Sequence, residues 1–467
     1  MLPANESAPP TPTISCPASR PASRATSARP DSVRFTSANL RVWGARSALS
    51  LIDQGFTSGA AFGVNIFLAR WVPAATYGAF AVAFAGFLFV SGFQNVLLLE
   101  PVSVFGPSRY ANRLPQYFNT QLQIHIFLAG SLAAVTILGA LVFAHFSPHS
   151  ALVEAAIGAG VALPFMLLLW LARRMCYIMQ RPAIAAAGSA IYLFFVATGL
   201  LALKRLGALG SLSAFLLLGS SSLCASIVLL FLLRVLNYGR DSHQAIPWRA
   251  GLKENWAYGR WLVGSILLFS ISSQAQTFLA AASLGLGAAG VLRAMQIPSL
   301  VMTQVVTATG LLILPTLSYD FGHGLIQRMR HKAVLASAGL CAITLAFAAL
   351  TAIEAPRIGH LLYGEKYSSQ IWLMPVLCLV PVANGLAMGF SMTLRASQKP
   401  RFDLISNLFA APISILSALA FMHFWGIAGA AASLVLSFFV LTTVTLIFFY
   451  KSSEKDAPAT NMTGLPI

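Results

Sequence analysis

The stretch YGAFAVAFAGFLFVSGFQNVLLL, residues 77–99, runs for 23 positions without an Asp, Glu, Lys, Arg or His. Its apolar residues do not alternate with polar ones, so it does not read as a half-buried strand. As an α-helix it extends about 34 Å, more than the ~30 Å of hydrocarbon in a bilayer. Inside lipid every backbone N–H and C=O must be satisfied by the protein itself, and a helix does this along its own length. The run therefore predicts a membrane-spanning helix.

Eleven more apolar runs flank it. The twelve lie at about 48–70, 77–99, 117–145, 151–172, 183–203, 210–236, 258–281, 286–314, 332–352, 369–394, 402–423 and 427–450. Composition agrees with this division. Of 467 residues, 57% are apolar and 9% charged, and the mean hydropathy is +0.75. Soluble domains carry roughly 25% charged residues, so this chain cannot clothe itself for water and a soluble enzyme is excluded. The expected fold class is an all-α polytopic membrane protein, with twelve transmembrane helices in two six-helix lobes around a central cavity.

The net charge is +17. The charges sit in short groups between the runs, a pattern of membrane loops; nucleic acid is not an expected partner. With the N-terminus in the cytoplasm, 24 of the 30 Lys and Arg fall in inside segments. Five fall outside (Arg70, Lys204, Arg205, Arg357 and Lys366), and Arg293 lies within a run. That excess obeys the positive-inside rule and predicts both termini on the cytoplasmic face of an inner (plasma) membrane.

Residues 1–45 are rich in Pro, Ser, Ala, Thr and Arg and carry no apolar signal core. They read as a disordered cytoplasmic tail, with an organelle transit peptide as the alternative. Residues 46–237 form the expected first lobe, 238–255 a cytoplasmic linker, 256–450 the second lobe and 451–467 a C-terminal tail. The halves echo each other. FLA at 67–69 recurs at 278–280, and Gly78 recurs as Gly290, at offsets of 211 and 212 residues. Together with the division of the runs six and six about the polar linker, these short matches support two duplicated lobes around a central path.

Ionisable groups inside a span are costly and mark function by default. Arg293 lies about 10 Å past the outer end of the eighth run. Gln296, Thr303 and Thr307 follow on its helix face, so the stripe predicts a cavity wall with a fixed cation for an anionic substrate. The other reading is a snorkelling arginine above interhelical hydrogen bonds. In the first run, Asp53, Gln54, Thr57, Ser58 and Asn65 form a polar face, matched in the seventh by Ser270, Ser272, Ser273, Gln274, Gln276 and Thr277. Asp53 reads as a partner of Arg46 or as a coupling carboxylate. Arg70 reads as an anchor or a second cation at the outer mouth. His125 and Glu154 read as packing residues. Pro164, Pro298, Pro375, Pro381 and Pro412 predict bends.

Cys16, Cys176, Cys224, Cys341 and Cys378 are scattered and read as structural. No Walker A motif, metal-ligand spacing or long outer catalytic loop is present, so neither an enzyme nor a cofactor or metal is expected.

Several segments resemble polysaccharide flippases of the multidrug, oligosaccharidyl-lipid and polysaccharide (MOP) exporter superfamily. DQGFTSGAAFGVNIFLARWV (53–72) with ATYGAFAV (75–82) is similar to their opening helix, and LEPVSVFG (99–106) to the end of the second. GRWL (259–262), SSQA (272–275) and VLRAMQ (291–296) open the second lobe in the same style. LYGEKY (362–367), RASQKP (395–400) and GIAGAA (426–431) match later turns.

The resemblance covers about residues 45–450. It implies a V of two lobes that passes a polyprenyl-pyrophosphate-linked oligosaccharide, head group first, for surface or exopolysaccharide (O-antigen) biosynthesis. A polymerase or export complex is the implied protein partner. By position, Arg293 is the implied pyrophosphate contact. Gln296, Thr303, Gln276, Asn65 and Arg70 are further substrate-binding candidates, with Asp53 for coupling. The alternative within the superfamily is a cation-coupled multidrug or metabolite exporter.

Overall fold

The computed structural model describes residues 37–234, 246–397 and 401–455. The chain divides into two compact units, Met1–Ser47 and Ala48–Ile467. In the first, the described residues 37–47 are helical; the predicted disordered tail otherwise falls outside the described residues. The contacts and site discussed from here belong to the second unit, which holds the first helix from Ala48 onward and all later helices.

The described residues form helices and turns, with no strand among them. In chain order, α1 is Ser37–Trp71, α2 Ala74–Ser108, α3 Leu114–Phe146, α4 Ala151–Ile178, α5 Pro182–Arg205 and α6 Ser211–Leu232. Then come α7 Trp248–Leu284, α8 Leu286–Gly322, α9 Ile326–Tyr363 and α10 Leu373–Ala396. The last helical segment, Arg401–Lys455, breaks at Gly426, whose φ of 56° and ψ of −129° are not helical. It is thus two helices, α11 (401–425) and α12 (427–455).

Ten segments among the described residues are long and apolar enough to cross a membrane. The twelve predicted runs reconcile with that number directly. One of the ten, Ile405–Lys451, holds α11 and α12 together. The first run, in α1, is not among the ten, and it carries the polar face of Asp53, Gln54, Thr57, Ser58 and Asn65.

A proline within a helix lacks the N–H that would pair with a carbonyl of the preceding turn. Pro101 cannot donate to Leu97, and α2 loosens into a π turn over Asn95–Leu99 just before it. α10 is interrupted at Cys378, beside Pro375 and Pro381. Pro164, Pro298 and Pro412 stand inside continuous helices.

Large apolar side chains cover the outside as well as the core. Ile126, Phe146, Phe231, Ile353 and Phe424 are all more than 70% exposed, as lipid-facing helices require. Within the first lobe α4 is central, with Leu163, Leu167 and Leu171 fully buried among α2, α3 and α6. The second lobe is tied by polar groups, including Gln276 to Ser414 (2.7 Å) and Thr442 to the Ala383 carbonyl (2.9 Å). The predicted 238–255 linker is described only in part. Its residues from Trp248 onward are the first turns of α7.

Those first turns of α7 pack on the first lobe rather than the second. Asn255 donates to Gln121 Oε1 at 2.8 Å, Thr120 donates to the Ile246 carbonyl at 2.9 Å, and Glu254 accepts from Arg109 and Tyr110. These bonds gather the charge-rich loops at one end of the bundle. At the opposite, charge-poor end, Arg70 meets Leu361 and Ser211 meets Thr76.

Candidate functional site

The space between α2 and α8 is where the two lobes meet around Arg293. α8 starts at Leu286 after Gly285, whose φ of 88° favours glycine. Arg293 stands on the second turn. It is half-buried, and its Cζ lies 5.9 Å from the centre of the Phe84 ring on α2. Its Nε is buried without a hydrogen-bond partner, and no ion pair of Arg293 occurs among the described residues. A membrane-embedded cation facing an aromatic ring, with no carboxylate beside it, is suited to receive an anion.

Three tyrosines surround this position, none of them singled out from the sequence. Tyr77 is fully buried on α2, within electrostatic reach of Arg293 and Tyr367, and donates to Asn65 Oδ1 at 3.1 Å. Tyr363 donates to the Ala294 carbonyl at 2.6 Å. Tyr367 is 2% exposed and its hydroxyl has no hydrogen-bond partner among the described residues. The i, i+4 spacing of Tyr363 and Tyr367 in LYGEKY was the available signal. What hid them is that a loop between two spans reads as solvent-facing, whereas this loop inserts between the lobes.

The predicted site residues separate into two groups. Gln296 is buried one turn beyond Arg293, and Thr303 and Thr307 continue the stripe towards the charge-rich end with rising exposure. Both threonine hydroxyls donate to their own helix, to the Ser299 and Thr303 carbonyls. Gln276 lies elsewhere: its amide donates to Ser414 and Ser437 inside the second lobe. Asn65 is buried, donates to the Ala61 carbonyl and accepts from Tyr77. Arg70 reaches across to the Leu361 carbonyl at 3.0 Å.

Asp53 is fully buried in the first lobe. Its carboxylate accepts from Arg173 Nε at 3.2 Å and Nη2 at 2.6 Å, and also from Tyr177 and Ser189. Among the described residues its ionic partner is Arg173 on α4; the side chain of Arg46 lies outside them. No local signal in the sequence links residues 53 and 173.

The remaining polar positions are peripheral to Arg293. His125 is buried in α3 beside the Pro164 carbonyl with its Nδ1 unpartnered. Glu154 is exposed in the first turn of α4, where the helix dipole favours an acid. The described cysteines are all free: Cys176 and Cys378 buried, Cys341 half-buried and Cys224 exposed. Cys16 lies outside the described residues. No group of three His, Cys, Asp or Glu able to hold a metal occurs among the described residues.

No protein-family model matches the chain. No curated protein matches it in sequence. Solved structures do match in shape. An inward-facing multidrug resistance transporter of the MATE family, MOP superfamily, aligns with a TM-score of 0.73 at 15% identity, over 88% of this chain and 99% of that one. The lipid II flippase MurJ, in an inward closed conformation, aligns at 0.67 and 11% identity, over 88% and 90%. A MOP superfamily transporter from Pyrococcus furiosus, described as having a binding pocket of reverse polarity, aligns at 0.64 and 14% identity, over 88% and 95%. The twelve helices in two lobes have the fold of these MOP superfamily transporters.

Proposed function

We propose that this protein is a transporter that flips a lipid-linked oligosaccharide repeat unit across a bacterial inner membrane by alternating access. Arg293 carries the reading. A guanidinium held between the lobes without a carboxylate is an incomplete ion pair, and the pyrophosphate of a polyprenyl-linked sugar completes it with bidentate geometry. Gln296 is the adjacent hydrogen-bonding group. Thr303 lies further along the same face, towards the charge-rich end. In a water-poor cavity such a contact is stronger than at a surface.

In this reading the charge-rich end faces the cytoplasm and the substrate enters there. The partners are the bilayer, the lipid-linked sugar and the polymerase that consumes it. The superfamily alternative, a cation-coupled exporter of drugs or metabolites, needs a carboxylate free to exchange a cation. Asp53, the acid that the sequence suggests for that role, has its oxygens engaged by Arg173, Tyr177 and Ser189.

A deletion strain tests the proposal, assayed for surface polysaccharide and for lipid-linked oligosaccharide on the cytoplasmic leaflet. Loss of the polymer with accumulation of the intermediate is the expected outcome. Normal polysaccharide with altered sensitivity to cationic drugs would replace this reading with the exporter.

A further inference from the structure

At the charge-poor end α2 and α8 touch backbone to backbone. A Cβ on Gly78 would stand 1.7 Å from the Leu286 carbonyl oxygen and 3.0 Å from the Gly290 nitrogen. Conversely, a Cβ on Gly290 would stand 2.5 Å from the Ala74 oxygen and 2.9 Å from the Gly78 nitrogen. No side chain fits at either position while the helices stay this close. Small residues four apart are what allow membrane helices to approach so closely.

The contact is reciprocal. Leu286 and Gly290 follow Ala74 and Gly78 by 212 residues, the offset of the repeat between the halves. Gly78 meets Leu286, and Gly290 meets Ala74. Such an exchange of partners is the mark of a two-fold axis, here internal to one chain, and the axis passes between the two glycines. Arg293, one turn beneath Gly290, has Ala81 as its counterpart at the same offset. The cation is therefore single, placed under the contact on one side of the axis only.

Two charged side chains strap the same end. Lys366 donates to the Ala69 carbonyl at 2.6 Å and to the Val72 carbonyl, at the C-terminus of α1, where carbonyls lack helical partners and the dipole is negative. Arg70 donates the other way, to Leu361. Every acceptor is a backbone carbonyl, and water can replace the donor on a carbonyl without leaving a buried carboxylate behind. Burial lowers the Lys366 pKa, in keeping with a side chain held in a closed seam.

We propose that the Gly78–Gly290 contact, strapped by Lys366 and Arg70, is the gate of the charge-poor end: it is shut here and parts in each cycle to release what Arg293 holds. The inference rests on the transporter reading for its role in a cycle, although the gate itself can be tested without any substrate.

The test uses the full chain in right-side-out vesicles, with Ala81→Cys as reporter. Ala81 is 2% exposed, one turn below Gly78. A membrane-impermeant maleimide is added outside, and labelling is read over that of the chain without the reporter. Gly78→Leu wedges the contact and is expected to raise labelling about tenfold, the size expected for one interhelical contact of 1–2 kcal/mol. Lys366→Met removes the strap without touching the glycines and is expected to raise it severalfold, with Lys366→Arg restoring the low level. Gly86→Leu is the control, because a Cβ there meets nothing within 4 Å, and it leaves labelling low. Low labelling in both Gly78→Leu and Lys366→Met, in protein that inserts and elutes as the parent does, would overturn the gate. Raised labelling in a strain whose polysaccharide export proves normal would leave the gate standing and remove only the proposed substrate.

Discussion

At the scale of single residues, environment separates polar groups that hold the fold from those left available. Asp53 and Arg173 form a buried pair with further hydrogen bonds from Tyr177 and Ser189. Removing one partner of such a pair costs about 3 kcal/mol, because the other charge is left unmatched. Asp53→Asn is therefore expected to lower the unfolding midpoint in detergent markedly, and Asp53→Asn/Arg173→Gln to recover part of it along with transport. A carboxylate essential for coupling would show no such rescue of transport. Gln276 is the milder case. Gln276→Leu removes two interhelical bonds to Ser414 and Ser437 and is expected to cost about 1 kcal/mol while substrate affinity stays unchanged. A weakened affinity in a binding assay would return Gln276 to the cavity. The ionisable residues in the spans were legible from hydropathy alone. Their partners were not, because Arg173 lies 120 residues from Asp53 and reaches it only once α1 and α4 are side by side.

Helices and loops were read from the sequence to different depths. The twelve runs follow from apolar length, a property each segment carries by itself. Gly426 shows what adds to it: the turn between α11 and α12 needs no loop because one glycine adopts φ 56° and ψ −129°. Such a conformation costs a residue with a Cβ about 1–3 kcal/mol. Gly426→Ala is thus expected to destabilise the second lobe by that amount, read as a lower unfolding midpoint, and an unchanged midpoint would mean the turn relaxes. The loop LYGEKY resisted reading because its partners are distant in sequence: Tyr363 bonds the Ala294 carbonyl and Lys366 the Ala69 carbonyl, which no local pattern records. The π turn at Asn95–Leu99, just before Pro101, was not foreseen; within it the Val96 carbonyl comes within 2.7 Å of where a Cβ on Gly259 would stand.

For the whole molecule, duplication and asymmetry both bear on the proposed transport. The repeat offset seen in Gly78 and Gly290 brings those two glycines into mutual contact, so the internal symmetry was visible before its geometry was. What breaks the symmetry is Arg293 opposite Ala81, a lone cation beneath the closed end of a two-lobed bundle. The central claim is that this cation holds the anionic head of a lipid-linked sugar. The most direct measurement places Arg293→Ala and Arg293→Lys in a deletion strain at normal expression and follows lipid-linked oligosaccharide on the two leaflets. The account predicts that the alanine variant strands the intermediate on the cytoplasmic leaflet. It predicts partial transfer by the lysine variant, which keeps the charge and loses the bidentate fork. Transfer at the parent rate by Arg293→Ala would contradict it.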